Sequence, residues 1–123
     1  MAENFFILGS LLAGLSVALG AFGAHALKSR LSPERLANFE TGARYQMYHS
    51  LALLATGLAG SQWAANAWVG AAGILLIVGI VLFSGSLYLL SITDRRWFGA
   101  ITPFGGLAWI AGWLCLILGL LVV

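Results

Sequence analysis

Apolar residues run along this chain in three long charge-free stretches rather than in short amphipathic segments. Phe5 to Leu27 covers 23 residues, Tyr45 to Thr93 covers 49, and Trp97 to Val123 covers 27. A helix that crosses a bilayer needs about 20 predominantly apolar residues at 1.5 Å of rise each. The middle stretch is long enough for two such helices, parted by a turn at the polar cluster Ser61, Gln62 and Asn66. The pattern therefore predicts four helices, over about 5–27, 44–62, 67–90 and 100–122. Lipid offers no partners to backbone N–H and C=O groups, so each span must be helical. A transmembrane barrel would show short alternating strands, and none occurs. The expected fold is all-α: an integral membrane bundle of four transmembrane helices, forming a single domain over 1–123.

Composition narrows the class. Hydrophobic residues make up 61% of the chain and charged residues 8%, with mean hydropathy +0.98. A soluble domain carries about 25% charged residues. These figures exclude a soluble domain, a disordered chain and a nucleic-acid binder, and they make the lipid bilayer the expected partner. The net charge of +2 rests on few groups, so their placement matters more than their sum. With four spans, segments 28–44 and 91–97 lie on one side, and both termini and the 60–66 turn on the other. Lys28, Arg30, Arg35, Arg44, Arg95 and Arg96 all fall on the first side. Lys and Arg are retained in the cytoplasm. The reading is a multi-pass protein of the cytoplasmic (inner) membrane with both termini outside. Trp63 and Trp68 would mark the outer interface, and Tyr45, Trp97 and Phe98 the inner one. The first apolar run is not a cleaved signal by this reading: Glu3 precedes it and Lys28 and Arg30 follow it, an inverted charge order.

The first cytoplasmic segment carries structure of its own. Ser32, Pro33 and Glu34 read as N-cap, first-turn proline and a carboxylate favoured by the helix dipole. Leu36, Phe39 and Ala43 follow at helical spacing, opposite Glu34, Arg35 and Asn38. This predicts a short amphipathic segment before the second span, continuous with it or hinged at Gly42. Thr102-Pro103 repeats the cap-plus-proline device at the start of the fourth span, or else kinks it.

Nearly all strongly polar side chains of the spans fall in their cytoplasmic halves. They are His25 in the first span, Arg44, Tyr45, Gln46, Tyr48 and His49 in the second, Ser84, Ser86 and Tyr88 in the third, and Thr102 in the fourth. Thr41, Arg44, Tyr45, Tyr48, His49 and Ala52 share a helical face at i, i+3 and i+4 spacing. His25 and His49 are expected at similar depth on adjacent antiparallel helices. These ten residues form a candidate polar pocket open to the cytoplasm, since intramembrane polar groups usually serve a function. The alternative is an interhelical hydrogen-bond network that holds the bundle together. Ser16-Gly20-Ala24 and Gly105-Ala108-Gly112 form small-residue seams. The first is expected inside the bundle and the second, with Trp109 and Trp113, between copies in a homo-oligomer.

No catalytic, cofactor or metal site is assigned. Two histidines at one depth would suit a b-type haem, but no second pair or CxxCH supports it. Zinc or di-iron chemistry needs more carboxylates than this half supplies, and Glu40 is placed to pair with Arg44. The lone Cys115 sits in an apolar span. No carboxylate lies within a span, which removes a carboxylate proton relay.

Four ordered motifs carry a family resemblance. They are Gly20-Ala-Phe-Gly-Ala-His-Ala-Leu-Lys28, Phe39-Glu-Thr-Gly-Ala-Arg-Tyr-Gln-Met-Tyr-His49, Phe83-Ser-Gly-Ser-Leu-Tyr88 and Gly99-Ala-Ile-Thr-Pro-Phe-Gly-Gly106. Across essentially the whole chain they resemble the small bacterial inner-membrane family catalogued as domain of unknown function 423, with YgdD-like and YwdK-like members. The resemblance implies a four-helix protein of the cytoplasmic membrane and supplies no reaction, substrate or catalytic residue. The expected function is a non-enzymatic structural or accessory membrane protein, self-associating, with a cytoplasm-facing polar cluster. The alternatives are a small oligomeric channel or transporter with its vestibule near His25 and His49, its small-molecule or ion substrate unassigned, and more remotely a haem-binding protein.

Overall fold

The computed structural model describes residues 1–123, and every element in it is helical. Helix α1 runs Ala2–Phe22 and continues through a wider π turn, Gly23–Leu27. Helix α2 is unbroken over Pro33–Gln62. Helix α3 covers Ala67–Thr93 and contains a π turn at Ile80–Ser84. A 3-10 turn, Arg96–Ala100, leads into helix α4, Thr102–Leu121.

The helix ends follow local chemistry. Ser32 Oγ accepts from the Arg35 N–H at 3.3 Å, and Pro33 occupies the first turn, where a missing N–H costs nothing. The amphipathic segment and the second span are therefore one helix of 30 residues. Gly42 is not a hinge. It is buried, with the Tyr88 ring and Leu87 against it. Asn66 caps α3, its Oδ1 accepting from the N–H groups of Trp68 and Val69. Its Nδ2 donates to Gly119 O at 2.9 Å, so one side chain also ties the start of α3 to the end of α4. At its other end α3 stops at Asp94, which takes the left-handed conformation at φ 57°. Arg35 covers two carbonyls that α3 leaves without amide partners. Its Nε donates to Ser91 O at 2.7 Å and its Nη2 to Ile92 O at 2.9 Å. Pro103 lies in the first turn of α4. Thr102 does not cap that helix, because its hydroxyl is engaged by Ser86 at 2.6 Å.

The helices run up and down in sequence. α2 and α3 form the middle, α1 packs mainly on α2, and α4 mainly on α3. Gly9, Ser16 and Gly23, seven residues apart, are the buried small positions of α1. Gly9 meets the backbone of Ser50 and Leu54, Ser16 Oγ donates to Ala43 O at 2.5 Å, and Gly23 receives the Phe39 ring. On α4, a Cβ at Gly105 would lie 2.3 Å from Phe83 N, and one at Gly112 would lie 3.3 Å from Leu75 Cβ. The α4 seam is thus closed against α3 within the chain, not free for a second copy. Trp109 is internal as well, at 4% exposure. Gly20, by contrast, has nothing within 4 Å of an added Cβ.

Three helical rods, Ala2–Leu27, Ala67–Thr93 and Arg96–Leu121, are long and apolar enough to cross a membrane. α2 has the length but not the apolarity, because it buries Gln46, His49, Ser50 and Thr56. Its position explains the difference. A helix enclosed by its neighbours presents small and polar residues to them, whereas lipid-facing stripes are large and apolar. Ile7, Leu11, Val17, Leu107, Ile110 and Ile117 are such exposed stripes on α1 and α4.

Candidate functional site

The ten candidate polar residues fall into separate groups. The first centres on Gln46, which is 2% exposed. Its Nε2 donates to Leu12 O on α1 at 2.9 Å, and its Oε1 accepts from the Tyr88 hydroxyl on α3 at 2.6 Å. The Tyr88 ring packs on Phe39 at 5.0 Å between centroids. Ser84 Oγ donates to Gly42 O at 2.7 Å. This group joins α1, α2 and α3.

The second group centres on His49 and joins α2 to α3 and α4. The imidazole lies on the Trp109 indole with centroids 3.6 Å apart and planes 3° from parallel. Nδ1 is 2.8 Å from Tyr45 O, which can only accept, so Nδ1 carries the proton. Nε2 then accepts from Trp113 Nε1–H at 3.3 Å. A neutral imidazole of this one tautomer satisfies both contacts. Trp109 Nε1 donates to Leu76 O at 3.1 Å, and its ring seats against Gly79, where a Cβ would collide with it at 2.1 Å. Tyr45 packs on Phe83 at 5.1 Å from the half-open edge of this stack. Ser86 and Thr102 form a third group, hydroxyl to hydroxyl, between α3 and the start of α4.

Three of the ten residues stand apart. Arg44 and Tyr48 are exposed on a groove between α1 and α2. Arg44 and His49 are five residues apart, which separates them by about 140° around a helix. They occupy opposite edges of the face that the spacing had grouped, and the buried centre of α2 runs instead through Phe39, Gly42, Gln46, Ser50, Leu53 and Gly57. Glu40 and Arg44 line the same groove, and neither enters the hydrogen-bond network of the bundle. His25 is exposed on the π turn that ends α1. Its neighbour Gly23 packs on Phe39, ten residues or about 15 Å of helical rise from His49. The two histidines are not at one depth. α2 begins at Pro33, eleven residues ahead of Arg44, so the end of α1 pairs with that added length.

Four further residues do as much as the ten. Asn66 announced itself as the last polar residue before an apolar run, the usual N-cap signal. Trp109 carries an indole N–H in an apolar span, which needs a partner. Ser16 and Arg35 carry no comparable local signal, since their acceptors lie 27 and 56 residues away. A cavity of about 450 Å³ opens at the opposite end of the bundle, beside Met1, Phe5, Thr56, Ala64 and Val69. None of the ten residues lines it.

Comparison with known proteins gives a consistent answer. The family described as "Protein of unknown function (DUF423)" matches residues 19–106. A UPF0382 membrane protein of Staphylococcus saprophyticus is 51% identical over 116 residues, 94% of each chain. The UPF0382 membrane protein YwdK of Bacillus subtilis is 45% identical, covering 92% of each chain. The UPF0382 inner membrane protein YgdD of Escherichia coli is 37% identical, over 97% of this chain and 91% of its own. No solved structure matches the chain.

Proposed function

The chain belongs to the DUF423 family of membrane proteins, and we propose that it is a four-span structural or accessory protein whose polar residues lock its helices together. One observation carries this reading. Every buried side-chain nitrogen and oxygen has a hydrogen-bond partner within the bundle. A site for a polar substrate keeps donors or acceptors open to water until the substrate arrives, whereas these are closed within the bundle. Here Gln46, Ser84 and His49 bond to neighbouring helices, and Ser50 and Ser91 bond to the carbonyl one turn back on their own.

The second helix counts as a span by the same reading. Arg44 on α2 and Trp63 at its C-terminal end lie 19 residues apart, about 28 Å of rise, against a hydrocarbon thickness of about 30 Å. Exposed Trp63 and Trp68 then lie at one boundary, and exposed Arg44 and Trp97 at the other. All six cations gather at the second end, which supports a reading with both termini outside the cell.

Two measurements test this. In proteoliposomes, ion or proton flux should equal that of protein-free vesicles, and a flux abolished by His49→Ala would establish the channel reading instead. In whole cells, an impermeant thiol reagent should label Ala2→Cys and spare Leu31→Cys. Labelling of position 31 from outside reverses the orientation.

A further inference from the structure

The groove between α1 and α2 is lined by one acidic and one basic side chain, Glu40 and Arg44. It encloses about 340 Å³, with Glu40 and Arg44 one turn apart on α2 and Gly20 on the facing side of α1. Ala43 lies between the charges, and Met47 and Tyr48 line the groove on the membrane side of Arg44. The groove stays open because Gly20 contributes no side chain there.

We infer that this groove binds a zwitterionic aminophospholipid, phosphatidylethanolamine by its chemistry, with the phosphate on Arg44 and the ammonium on Glu40. The inference rests on the reading of α2 as a span, which sets both charges at headgroup depth. Charge order carries the argument. Arg44 lies nearer the hydrocarbon, and Glu40 lies about 6 Å further toward the cytoplasm. In the lipid the phosphate is attached to glycerol and the ammonium lies beyond it, two carbons further out. The side chains therefore present plus and minus in the sequence that matches minus and plus on the headgroup. Arg forms charge-assisted hydrogen bonds with phosphate, and a primary ammonium donates to a carboxylate. Phosphatidylglycerol brings a phosphate with no cation, so Glu40 faces it unpaired. Phosphatidylcholine brings a cation with no N–H to donate. The acyl chains continue from the glycerol along Met47 and Tyr48. A headgroup held this way neutralises two charges that would otherwise rest at the edge of a low-dielectric layer.

Native mass spectrometry of the full chain, released from nanodiscs holding equal phosphatidylethanolamine, phosphatidylcholine and phosphatidylglycerol, tests the assignment. The expected result is a retained phosphatidylethanolamine adduct, favoured over the other two by about tenfold, the size of one charged hydrogen bond. Glu40→Gln should remove the preference over phosphatidylglycerol, and Arg44→Gln should remove retention of all three. Gly20→Leu should fill the groove and remove every adduct while leaving helical circular dichroism unchanged, because open space surrounds that position. Equal retention of the three lipids overturns the site, as does a preference that survives Glu40→Gln. A lipid-free dimer that Gly20→Leu dissociates overturns it too, by seating a second copy in the groove. Thiol labelling at positions 31 and 65, which flank α2, reports its span separately: position 65 should label from outside and position 31 should not. Correct labelling without lipid preference therefore removes the lipid site alone, and reversed labelling removes the topology alone.

Discussion

Packing within each helical hairpin includes a kind of contact that packing between the two hairpins lacks. Inside α1–α2 and α3–α4, glycines bring backbone against backbone. A Cβ at Gly57 would sit 2.5 Å from Ala2 O and 2.6 Å from Phe6 N, and one at Gly105 would sit 2.3 Å from Phe83 N. Between the hairpins, along α2 and α3 and across to α4, the contacts are rings and polar side chains. They are His49 on Trp109, Trp113 on His49, Tyr88 on Gln46 and Ser84 on Gly42. Lipid tails are as apolar as Leu, so no hydrophobic force draws helices together in a membrane. Both kinds of joint use hydrogen bonds and ring packing, as Gln46 to Leu12 O and Trp109 to Leu76 O do inside the hairpins, and the hairpins alone add close backbone approach.

That contrast orders the effects of substitution. Gly57→Leu and Gly105→Leu should be the most damaging. Overpacking commonly costs about 1–3 kcal/mol, but here the obstruction is facing backbone, which cannot swing aside as a side chain does. Both variants should fail to give folded protein in detergent, and a normal unfolding midpoint for either would erase the distinction between the two kinds of contact. Trp109→Ala should cost about 3 kcal/mol, since it removes a buried ring, a hydrogen bond to Leu76 O and the platform under His49. Its loss should appear in denaturant titration with helical content retained at zero denaturant, because the backbone contacts of both hairpins survive.

Hydrogen bonds of the joint should be individually modest. A double-mutant cycle of Gln46→Leu and Tyr88→Phe should return a coupling of about 0.6 kcal/mol and no more than about 1.7. A much larger value would make that bond, rather than the rings, the main fastening between the hairpins. Arg44→Ala should be the mildest, within about 0.5 kcal/mol, since the residue lies in the open groove outside every network. The pairing with Glu40 expected from the sequence would make this substitution costlier, so its measured stability sharpens the contrast.

The sequence was most legible where the determining physics is local. Ser32-Pro33 starts α2 and Asn66 starts α3, because caps and first-turn prolines act within three residues. The split of the ten candidates was illegible because it depends on which side of α2 meets a neighbour. Tyr45, Gln46, Tyr48 and His49 all look suited to a polar interior. Only the seating of α1 on Gly9, Ser16 and Gly23 decides that Gln46 turns inward and Tyr48 outward. The two glycine seams were misallocated for a related reason. Gly20 and Gly105 look alike in sequence, and what differs is the backbone opposite: Phe83 beyond Gly105, and open space beyond Gly20.

By itself the sequence determined a helical membrane protein with its cations gathered at one end, because hydropathy, charge placement and backbone satisfaction in lipid act on each segment alone. Tertiary structure decided the rest. The early start of α2 moves the end of α1 to Phe39 and leaves His25 about 15 Å of rise from His49. The notch at Gly79 admits Trp109, and Trp109 gives His49 its platform. Those outcomes depend on register between helices, a property of pairs of surfaces that fit at sub-ångström tolerance, and no single segment encodes it.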